Sequence, residues 1–327
     1  FAGARSLTAT SGGGFALMTE AVSLAGCSET PCVVVDAQRP GPSTGLPTRT
    51  EQGDLRQVLH AGQGDFPKLV MAPGDIKESF EMGFYAFNYA DKYQIPVFIL
   101  TDKYLSETFV SVSELETPDD RATMKIERGK IVNTVKNNNS DFKRYEDSID
   151  GVSPRTLPGT LLGEHVATSY EHDERSFLLE DVATRNQQMR KRMRKADALL
   201  RELPEPFVID GDGKKIDSCD ILLVSFGSTK PILMEAARDL LSTSGKKKGI
   251  SVGILMIKYL APFHSETVKR ILNKMIRDGA RIICVEQNFS GQLCGLICEK
   301  TGIDIREKFL KYDGRQISPK TIKAICK

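Results

Sequence analysis

Residues 32–54 read CVVVDAQRPGPSTGLPTRTEQGD and decide the fold class. Residues 32–37 are mostly apolar and β-branched, which predicts a buried strand of a parallel sheet. A long irregular run with three prolines follows at once, and ligands bind beyond the carboxyl ends of strands in open parallel sheets. The stretch therefore predicts an α/β protein with a ligand site directly after a strand.

The pattern extends over the first hundred residues, where short β-branched runs alternate with longer amphipathic ones. We predict strands at residues 6–10, 32–37, 68–72 and 96–102. A helix should begin at Asp75, with Glu78 placed three residues later as in a capping box. The apolar side chains of this helix that share one face, and should pack on the sheet, are Ile76, Phe80, Phe84 and Phe87.

The composition becomes charged and polar between residues 113 and 206, which predicts a connecting region. Near its end an amphipathic helix is predicted from an apolar stripe at Val182, Met189, Met193, Ala196, Leu200 and Leu203. The basic residues expected mostly on its solvent side are Arg190, Lys191, Arg192, Arg194 and Lys195. A nucleic-acid-binding helix is the alternative, although no aromatic residues stand between the charges for stacking.

A second α/β pattern starts at residue 207, with predicted strands at 221–225, 251–256 and 281–286. The predicted organisation is two doubly wound open-sheet domains, residues 1–112 and 207–327, joined by the long connecting region 113–206.

Composition and charge limit the classes of function. The 327 residues include 45 Lys and Arg against 43 Asp and Glu, so no strong positive field for nucleic acid is expected. No apolar run is long enough for a membrane span. The seven scattered cysteines favour reduced thiols and a cytoplasmic protein.

The loop after the first long strand carries groups suited to an anionic ligand. Arg39 suits a planar carboxylate, which a guanidinium binds through two parallel charge-assisted hydrogen bonds. The hydroxyl groups that the stiff loop could orient belong to Ser43, Thr44 and Thr48. An ordinary rigid surface loop, with Arg39 paired to Glu51 or Asp54, is equally consistent with the spacing alone.

Four motifs extend the interpretation: LTATSGGGFALMTE at 7–20, GPSTGLPTRTEQGDL at 41–55, EHDE at 171–174 and VEQNFSGQL at 285–293. Together they resemble the α subunit of 2-oxoacid:ferredoxin oxidoreductases, thiamine-diphosphate enzymes that decarboxylate 2-oxoacids. The second motif looks more like the 2-oxoglutarate or broad-specificity branch than the pyruvate branch. Pro40 and Gly13 depart from the family, which usually has Gly and Pro there.

The resemblance implies conversion of a 2-oxoacid, coenzyme A and oxidised ferredoxin to acyl-CoA, carbon dioxide and reduced ferredoxin. Residues 1–112 would face the aminopyrimidine of thiamine diphosphate, and residues 207–327 would form a transketolase C-terminal-like domain. Arg39 would bind the substrate carboxylate and Thr48 would face the substrate. The turn at Ser11, Gly12 and Gly13 would lie against the cofactor and its substrate.

Other parts of the chemistry are expected outside this chain. Residues 210–213 read DGDG but lack the downstream Asn of a thiamine-enzyme magnesium motif, so a hairpin turn is predicted there. Mg²⁺ is therefore expected at the interface with a β subunit. Cys294 and Cys298 are predicted to be buried thiols on one helix face, which leaves the [4Fe-4S] cluster to the β subunit. The glutamate that activates the cofactor is expected upstream of Phe1, so no catalytic residue is assigned within these residues.

Two competing functions fit the same residues. A thiamine-diphosphate subunit without redox function differs in having no neighbouring gene for a partner with cluster cysteines. A non-catalytic assembly subunit differs in lacking the upstream glutamate. His172, Asp173 and Glu174 are too few for a metal site and are expected to be structural or to lie at an interface.

Overall fold

The computed structural model describes residues 1–112, 124–135, 142–242 and 249–327, and within them it forms two five-stranded sheets. The first sheet contains, in spatial order, β1 (Leu7–Thr10), β2 (Cys32–Gln38), β4 (Pro96–Asp102), β3 (Leu69–Met71) and β8 (Tyr259–Ala261). The second contains β10 (Glu307–Leu310), β9 (Arg281–Glu286), β6 (Ile221–Ser225), β7 (Val252–Met256) and β5 (Val208–Ile209). In both sheets the first four strands are parallel and the last is antiparallel. The predicted α/β class is confirmed.

The helices cover both faces of each sheet. They are α1 (Gly12–Phe15), α2 (Thr19–Cys27), α3 (Leu55–His60), α4 (Ile76–Tyr93), α5 (Lys103–Ser106), α6 (Val182–Glu202), α7 (Lys230–Ser242), α8 (Ser265–Arg277), α9 (Gln292–Thr301) and α10 (Pro319–Ile325). One hydrophobic core lies between the sheets, and two further cores lie on their outer faces. Among the described residues, no helix is both long enough and apolar enough to cross a bilayer.

β8 joins the two halves of the chain. It belongs to the predicted C-terminal domain, yet it pairs antiparallel with β3 of the first sheet through Val70 and Ala261. The amide of Ala72 also donates to the carbonyl of Lys258 at 2.8 Å. The chain therefore passes from the second sheet into the first between β7 and β8, while the predicted domain limits stay a prediction.

α4 begins as predicted but packs through a different face. The Asp75 carboxylate accepts the amide of Glu78 at 2.9 Å, which caps the first turn. The predicted face is wrong for Ile76, Phe80 and Phe84, which are only half-buried, whereas Phe87 does pack against the core. The buried core side chains of this helix are Met82, Ala86, Tyr89 and Tyr93. The tyrosine rings are apolar enough to enter the core, and the Tyr93 hydroxyl finds a partner in Glu202 of α6 at 2.5 Å.

α6 exists as predicted, but its charged face was predicted wrongly. Lys191, Arg192 and Lys195 are buried, whereas Val182 and Met193 of the expected apolar stripe are exposed. The ammonium groups of Lys191 and Lys195 each lie 2.6 Å from a different carboxylate oxygen of Glu29, which follows α2. Glu29 supplies the opposite charge that makes burial of two lysines possible.

The same ion cluster shifts the titration of its members. Burial on its own would raise the pKa of Glu29, but the two lysines hold it well below its usual range. Burial lowers the pKa of Lys195 to about 7. Glu171 similarly binds Arg192 through two hydrogen bonds of 2.7 and 2.8 Å. The Glu29 contacts fasten the connecting region to the segment between α2 and β2, whereas the Glu171 pair lies within the connecting region.

Two smaller predictions from the sequence have different outcomes. The turn at residues 210–213 is a hairpin as predicted, with the Asp210 carboxylate accepting two backbone amides at 2.9 Å and Gly213 at a φ of +82°. Cys294 is buried, but the prediction of a buried Cys298 is wrong because that thiol is exposed. The buried face of α9 contains Leu293 and Ile297. Cys298 is the next residue after Ile297, and the rotation of about 100° per residue places it toward solvent.

His172 packs inside the connecting region. Its ring centroid lies 3.8 Å from that of Tyr145, and its Nδ1 lies 3.0 Å from the carbonyl oxygen of Tyr170. The side chain is fully buried. These contacts agree with the expected structural role.

Replacing Glu29 by Gln should strongly destabilise the fold. The substitution leaves the buried ammonium groups of Lys191 and Lys195 without a counter-charge, so the free energy of unfolding should fall by about 3–5 kcal/mol. Urea denaturation measures this loss. The matched control is Glu81→Gln, which removes an exposed pair with Lys77 and should cost less than about 0.5 kcal/mol. Equal losses in the two variants would contradict the buried cluster.

Candidate functional site

A cleft of about 550 Å³ lies beyond the carboxyl ends of β1 and β2. Its lining residues are Gly12, Gly13, Gly14, Ala16, Arg39, Gly41, Pro42, Ser43, Thr44, Asp54 and Gln57. The structure thus brings Gly12, Gly13, Arg39, Ser43 and Thr44 of the predicted site together. Ligand sites are common at this edge of open parallel sheets.

Two predicted residues lie outside this lining. Ser11 directly precedes α1, and its hydroxyl makes no capping hydrogen bond with the helix. Thr48 lies on the exposed outer part of the loop. The binding roles assigned to all these residues from the sequence stay predictions.

Arg39 follows β2 and is half-buried at the cleft. Its Nε is buried without a hydrogen-bond partner. Within the described ranges, no carboxylate lies within 4.0 Å of its guanidinium, so the alternative pairing with Glu51 or Asp54 is not formed. The arginine is therefore available to a ligand.

The loop that holds Arg39 closes on itself. The amide of Leu46 donates to the carbonyl of Pro40 at 3.0 Å. Gly45 has a φ of +52°, and a Cβ at this position would lie 1.8 Å from the same carbonyl oxygen. Only glycine fits this close approach, so the chain returns to its starting point within six residues.

A second contact holds the far end of the loop, between residues 52–56 and 286–292. The amide of Gln52 donates to the carbonyl of Gln287 at 2.7 Å, and the Asn288 side-chain amide donates back to the carbonyl of Gln52 at 3.2 Å. The side chain of Gln292 donates to the carbonyl of Gly53 at 2.6 Å. Two of the motifs quoted above, more than 200 residues apart, therefore bind each other, and we call this contact the motif bridge.

Two acidic residues at or beside the cleft, Asp36 and Asp54, were not assigned a site role from the sequence. Asp36 is the only charged residue in β2; it is fully buried, and neither of its carboxylate oxygens has a partner. Burial, together with nearby Asp54, raises the pKa of Asp36 to about 8. A single charged residue in a mostly apolar strand is unusual, and this feature of the sequence could have identified Asp36 as a candidate site residue.

Asp54 lines the cleft and lies beside Gly12, in the segment of residues 12–14 that we call the glycine turn. Burial raises the pKa of Asp54 to about 6, although Arg39 acts in the opposite direction. Burial likewise raises the pKa of Glu51 to about 7, with Asp54 and Asp313 adding to the shift. Both carboxyl groups therefore ionise at a higher pH than carboxyl groups in water.

The glycine turn contributes backbone but no side chains to the cleft wall. A Cβ on Gly12 would lie 2.5 Å from the nearest carboxylate oxygen of Asp54, whereas a Cβ on Gly13 would approach only the Ser43 carbonyl oxygen at 3.7 Å. A flat cofactor or substrate can approach the backbone here. Among the described residues, no group of three or more His, Cys, Asp or Glu is placed to hold a metal ion.

The arrangement defines an α/β protein with an arginine-bearing cleft beyond the carboxyl ends of two strands. Residues 1–191 match the family model described as pyruvate flavodoxin/ferredoxin oxidoreductase, thiamine diP-bdg. The chain is 40% identical over 318 residues to the Aeropyrum pernix 2-oxoacid:ferredoxin oxidoreductase 2 subunit alpha, covering 97% of this chain and 46% of that protein. The chain belongs to the pyruvate flavodoxin/ferredoxin oxidoreductase family.

Two further relatives support this assignment. The 2-oxoglutarate synthase subunit KorA of Methanocaldococcus jannaschii is 31% identical, with 84% of this chain and 69% of that protein covered. A solved 2-oxoglutarate:ferredoxin oxidoreductase from Magnetococcus marinus, with 2-oxoglutarate, coenzyme A and succinyl-CoA bound, superposes with a TM-score of 0.87 at 33% identity. The match covers 99% of this chain and 53% of that one. The chain spans about half the length of the first curated relatives it matches.

Replacing Asp36 by Asn should change how stability depends on pH. The raised pKa means that the folded protein binds the Asp36 proton more tightly than the unfolded chain does. The free energy of unfolding of the wild type therefore falls as pH rises from about 4 to about 8. Asn cannot ionise, so the melting temperature of the variant should exceed that of the wild type by a gap that widens across this window. The exposed control Asp65→Asn should show no widening, and a flat gap for Asp36→Asn would contradict the buried, unpartnered carboxyl group.

Replacing Gly12 by Ala should be far more damaging than replacing Gly13 by Ala. The first methyl group collides with the Asp54 carboxylate and the second enters open space. We expect a stability loss of about 1–3 kcal/mol for Gly12→Ala and a change within about 0.5 kcal/mol for Gly13→Ala. Thermal denaturation distinguishes them, and a reversed order would rule out the described position of Asp54.

Proposed function

We propose that this chain belongs to the α subunit of a 2-oxoacid:ferredoxin oxidoreductase. The reaction is the oxidative decarboxylation of a 2-oxoacid with coenzyme A to acyl-CoA and carbon dioxide, with the electrons passing to ferredoxin. The single observation that carries the proposal is the Arg39 guanidinium, which lies at the cleft with its Nε buried and without a carboxylate partner in the described part of the chain.

Arg39 is the group that binds the substrate carboxylate. A guanidinium presents a planar pair of N–H donors that matches the two oxygens of a carboxylate. Strand β2 holds the backbone before Arg39, and the closed loop and the motif bridge hold the chain after it. The hydroxyl groups of Ser43 and Thr44 line the same cleft, and that of Thr48 lies on the same loop. The substrate is thus oriented by side chains that need little rearrangement.

The residues present fit one face of thiamine diphosphate. The wall at Gly13 is bare backbone, and the Asp54 Oδ2, which lies against Gly12, is buried without a partner among the described residues. Ser11, Gly12 and Gly13 would lie against the cofactor. When bound, thiamine diphosphate supplies the carbon nucleophile and the electron sink for decarboxylation. This chain contributes carboxylate binding, orientation and exclusion of water.

The metal ion and the redox centre are assigned to a partner subunit. Mg²⁺ and the diphosphate group are assigned to the interface with a β subunit, and the [4Fe-4S] cluster is assigned to that subunit. Ferredoxin is the electron acceptor and the complex is cytoplasmic. Residues 1–112 act as the pyrimidine-binding-type domain and residues 207–327 as the transketolase C-terminal-like domain, with residues 113–206 between them.

2-Oxoglutarate is the favoured substrate. The loop reads GPSTGLPTRTEQGDL at residues 41–55, and proteins named 2-oxoglutarate synthase and 2-oxoglutarate:ferredoxin oxidoreductase are among those similar to this chain. A comparison of kcat/KM for 2-oxoglutarate and pyruvate tests this choice, and a higher value for pyruvate would overturn it.

The Arg39→Ala substitution tests the function itself. The full native polypeptide is purified with its β partner, and viologen reduction is measured with 2-oxoglutarate and coenzyme A. Loss of the charge-assisted pair should lower kcat/KM by roughly tenfold to a thousandfold. The control Arg190→Ala removes an exposed arginine of α6 and should leave the rate unchanged.

One further outcome would contradict the role of Arg39, and two would favour the competing functions. An unchanged rate in Arg39→Ala would remove this arginine from the site. Decarboxylation without electron transfer would indicate a thiamine-diphosphate subunit without redox function. A complex that assembles but never turns over, even with all cofactors supplied, would indicate an assembly subunit.

A further inference from the structure

A second cavity, of about 200 Å³, lies at the carboxyl edge of the second sheet. It shares no lining residue with the cleft of Arg39. Its apolar wall includes Phe207, Ile209, Met234, Met256, Phe263 and Val268. Met256 is the last residue of β7, so the cavity occupies the position where open parallel sheets commonly bind ligands.

The charged groups at this cavity already have partners. The Lys230 ammonium lies 2.5 Å from Asp75 and 2.6 Å from Glu78, and the Lys258 ammonium lies 2.6 Å from Glu78. Two positive charges are thus balanced by two negative ones. A charged ligand would have to break these pairs, so the cavity is suited to a neutral molecule.

His264 lines the cavity and has a buried ring nitrogen, Nε2, without a hydrogen-bond partner among the described residues. It directly precedes α8 and is only 9% exposed. Burial lowers the pKa of His264, while Glu205 and the backbone of Leu203 and Pro204 act in the opposite direction. A neutral imidazole has one N–H group and one lone pair. The backbone of Leu203 and Pro204 acts on the ring and Nε2 has no partner among the described residues, so we assign the N–H group to Nδ1 and the acceptor to Nε2.

We propose that this cavity binds a small neutral molecule with a compact apolar body and a single hydroxyl or N–H group that donates to His264 Nε2. The apolar wall favours an aromatic or branched body through burial of its surface. An apolar cavity of about 150 Å³ accommodates benzene, so about 200 Å³ is sufficient for a bicyclic ring. A ligand without the donor leaves a buried acceptor unsatisfied, which gives the site its selectivity.

The cavity also lies where the two sheets meet. Tyr259, which lines it, is the first residue of β8 and pairs with Met71 of the first sheet. The ion pairs between Lys230 and α4 cross the same boundary. A bound molecule would therefore stabilise the junction, by a free energy that grows with the logarithm of its concentration relative to Kd. This inference does not depend on the proposed function.

Indole and benzofuran test the proposal. The two bicycles have nearly the same shape, but only indole has an N–H donor. Titration calorimetry of the full native polypeptide should give a Kd for indole on the order of fivefold lower than that for benzofuran, as one added hydrogen bond provides. A crystal soaked with indole should show its nitrogen facing His264 Nε2.

Substitutions at His264 identify the acceptor. His264→Leu should bind both probes with nearly equal Kd, and His264→Gln, which retains an acceptor, should restore the preference for indole. The control His60→Leu changes an exposed histidine of α3 outside the cavity and should keep the full preference. Equal Kd values in the wild type, no binding of either probe at millimolar concentration, or indole found at another site would each overturn the proposal. The wild-type titration and the soaked crystal decide even if His264→Leu does not fold.

Discussion

The motif bridge between Gln52 and Asn288 is the contact on which the cleft depends. It rests on Glu286 at the end of β9, which is fully buried. The Glu286 carboxylate accepts the amides of Leu293 and Cys294 at 2.8 and 2.9 Å and the side-chain amide of Asn288 at 2.8 Å. These charge-assisted bonds offset the cost of burying the carboxylate. Asn288 is thereby fixed, and its second hydrogen bond fixes the end of the loop that begins with Arg39.

Buried charges in this protein fall into two kinds. Glu29 and Glu286 are surrounded by donors, and each fastens one part of the chain to another. Asp36 and the Nε of Arg39 are buried without partners and lie at or beside the cleft. Buried polar atoms are nearly always paired in folded proteins, so unpaired ones at one site point to a ligand that pairs with them. This contrast is one reason why we propose the cleft as the functional site.

The errors in the buried faces predicted for α4 and α6 have one physical cause. The apolar stripes predicted for α4 and α6 assumed that only apolar side chains become buried. Lys191 and Lys195 are buried because Glu29, more than 160 residues earlier, supplies both with a counter-charge. Tyr93 is buried because Glu202 accepts its hydroxyl hydrogen. Such partners lie far away in sequence, and no local periodicity reveals them.

The sequence by itself determined the α/β class, most strand positions, the cap at Asp75, the hairpin at residues 210–213 and the place of Arg39 after a strand. These properties depend on residues a few positions apart, whose periodicity and turn chemistry are local. The tertiary structure decided that β8 joins the first sheet, which lysines are buried, and that Arg39 stays unpaired while Asp36 becomes hard to ionise. Those outcomes depend on desolvation and on partners that meet only when the chain has folded.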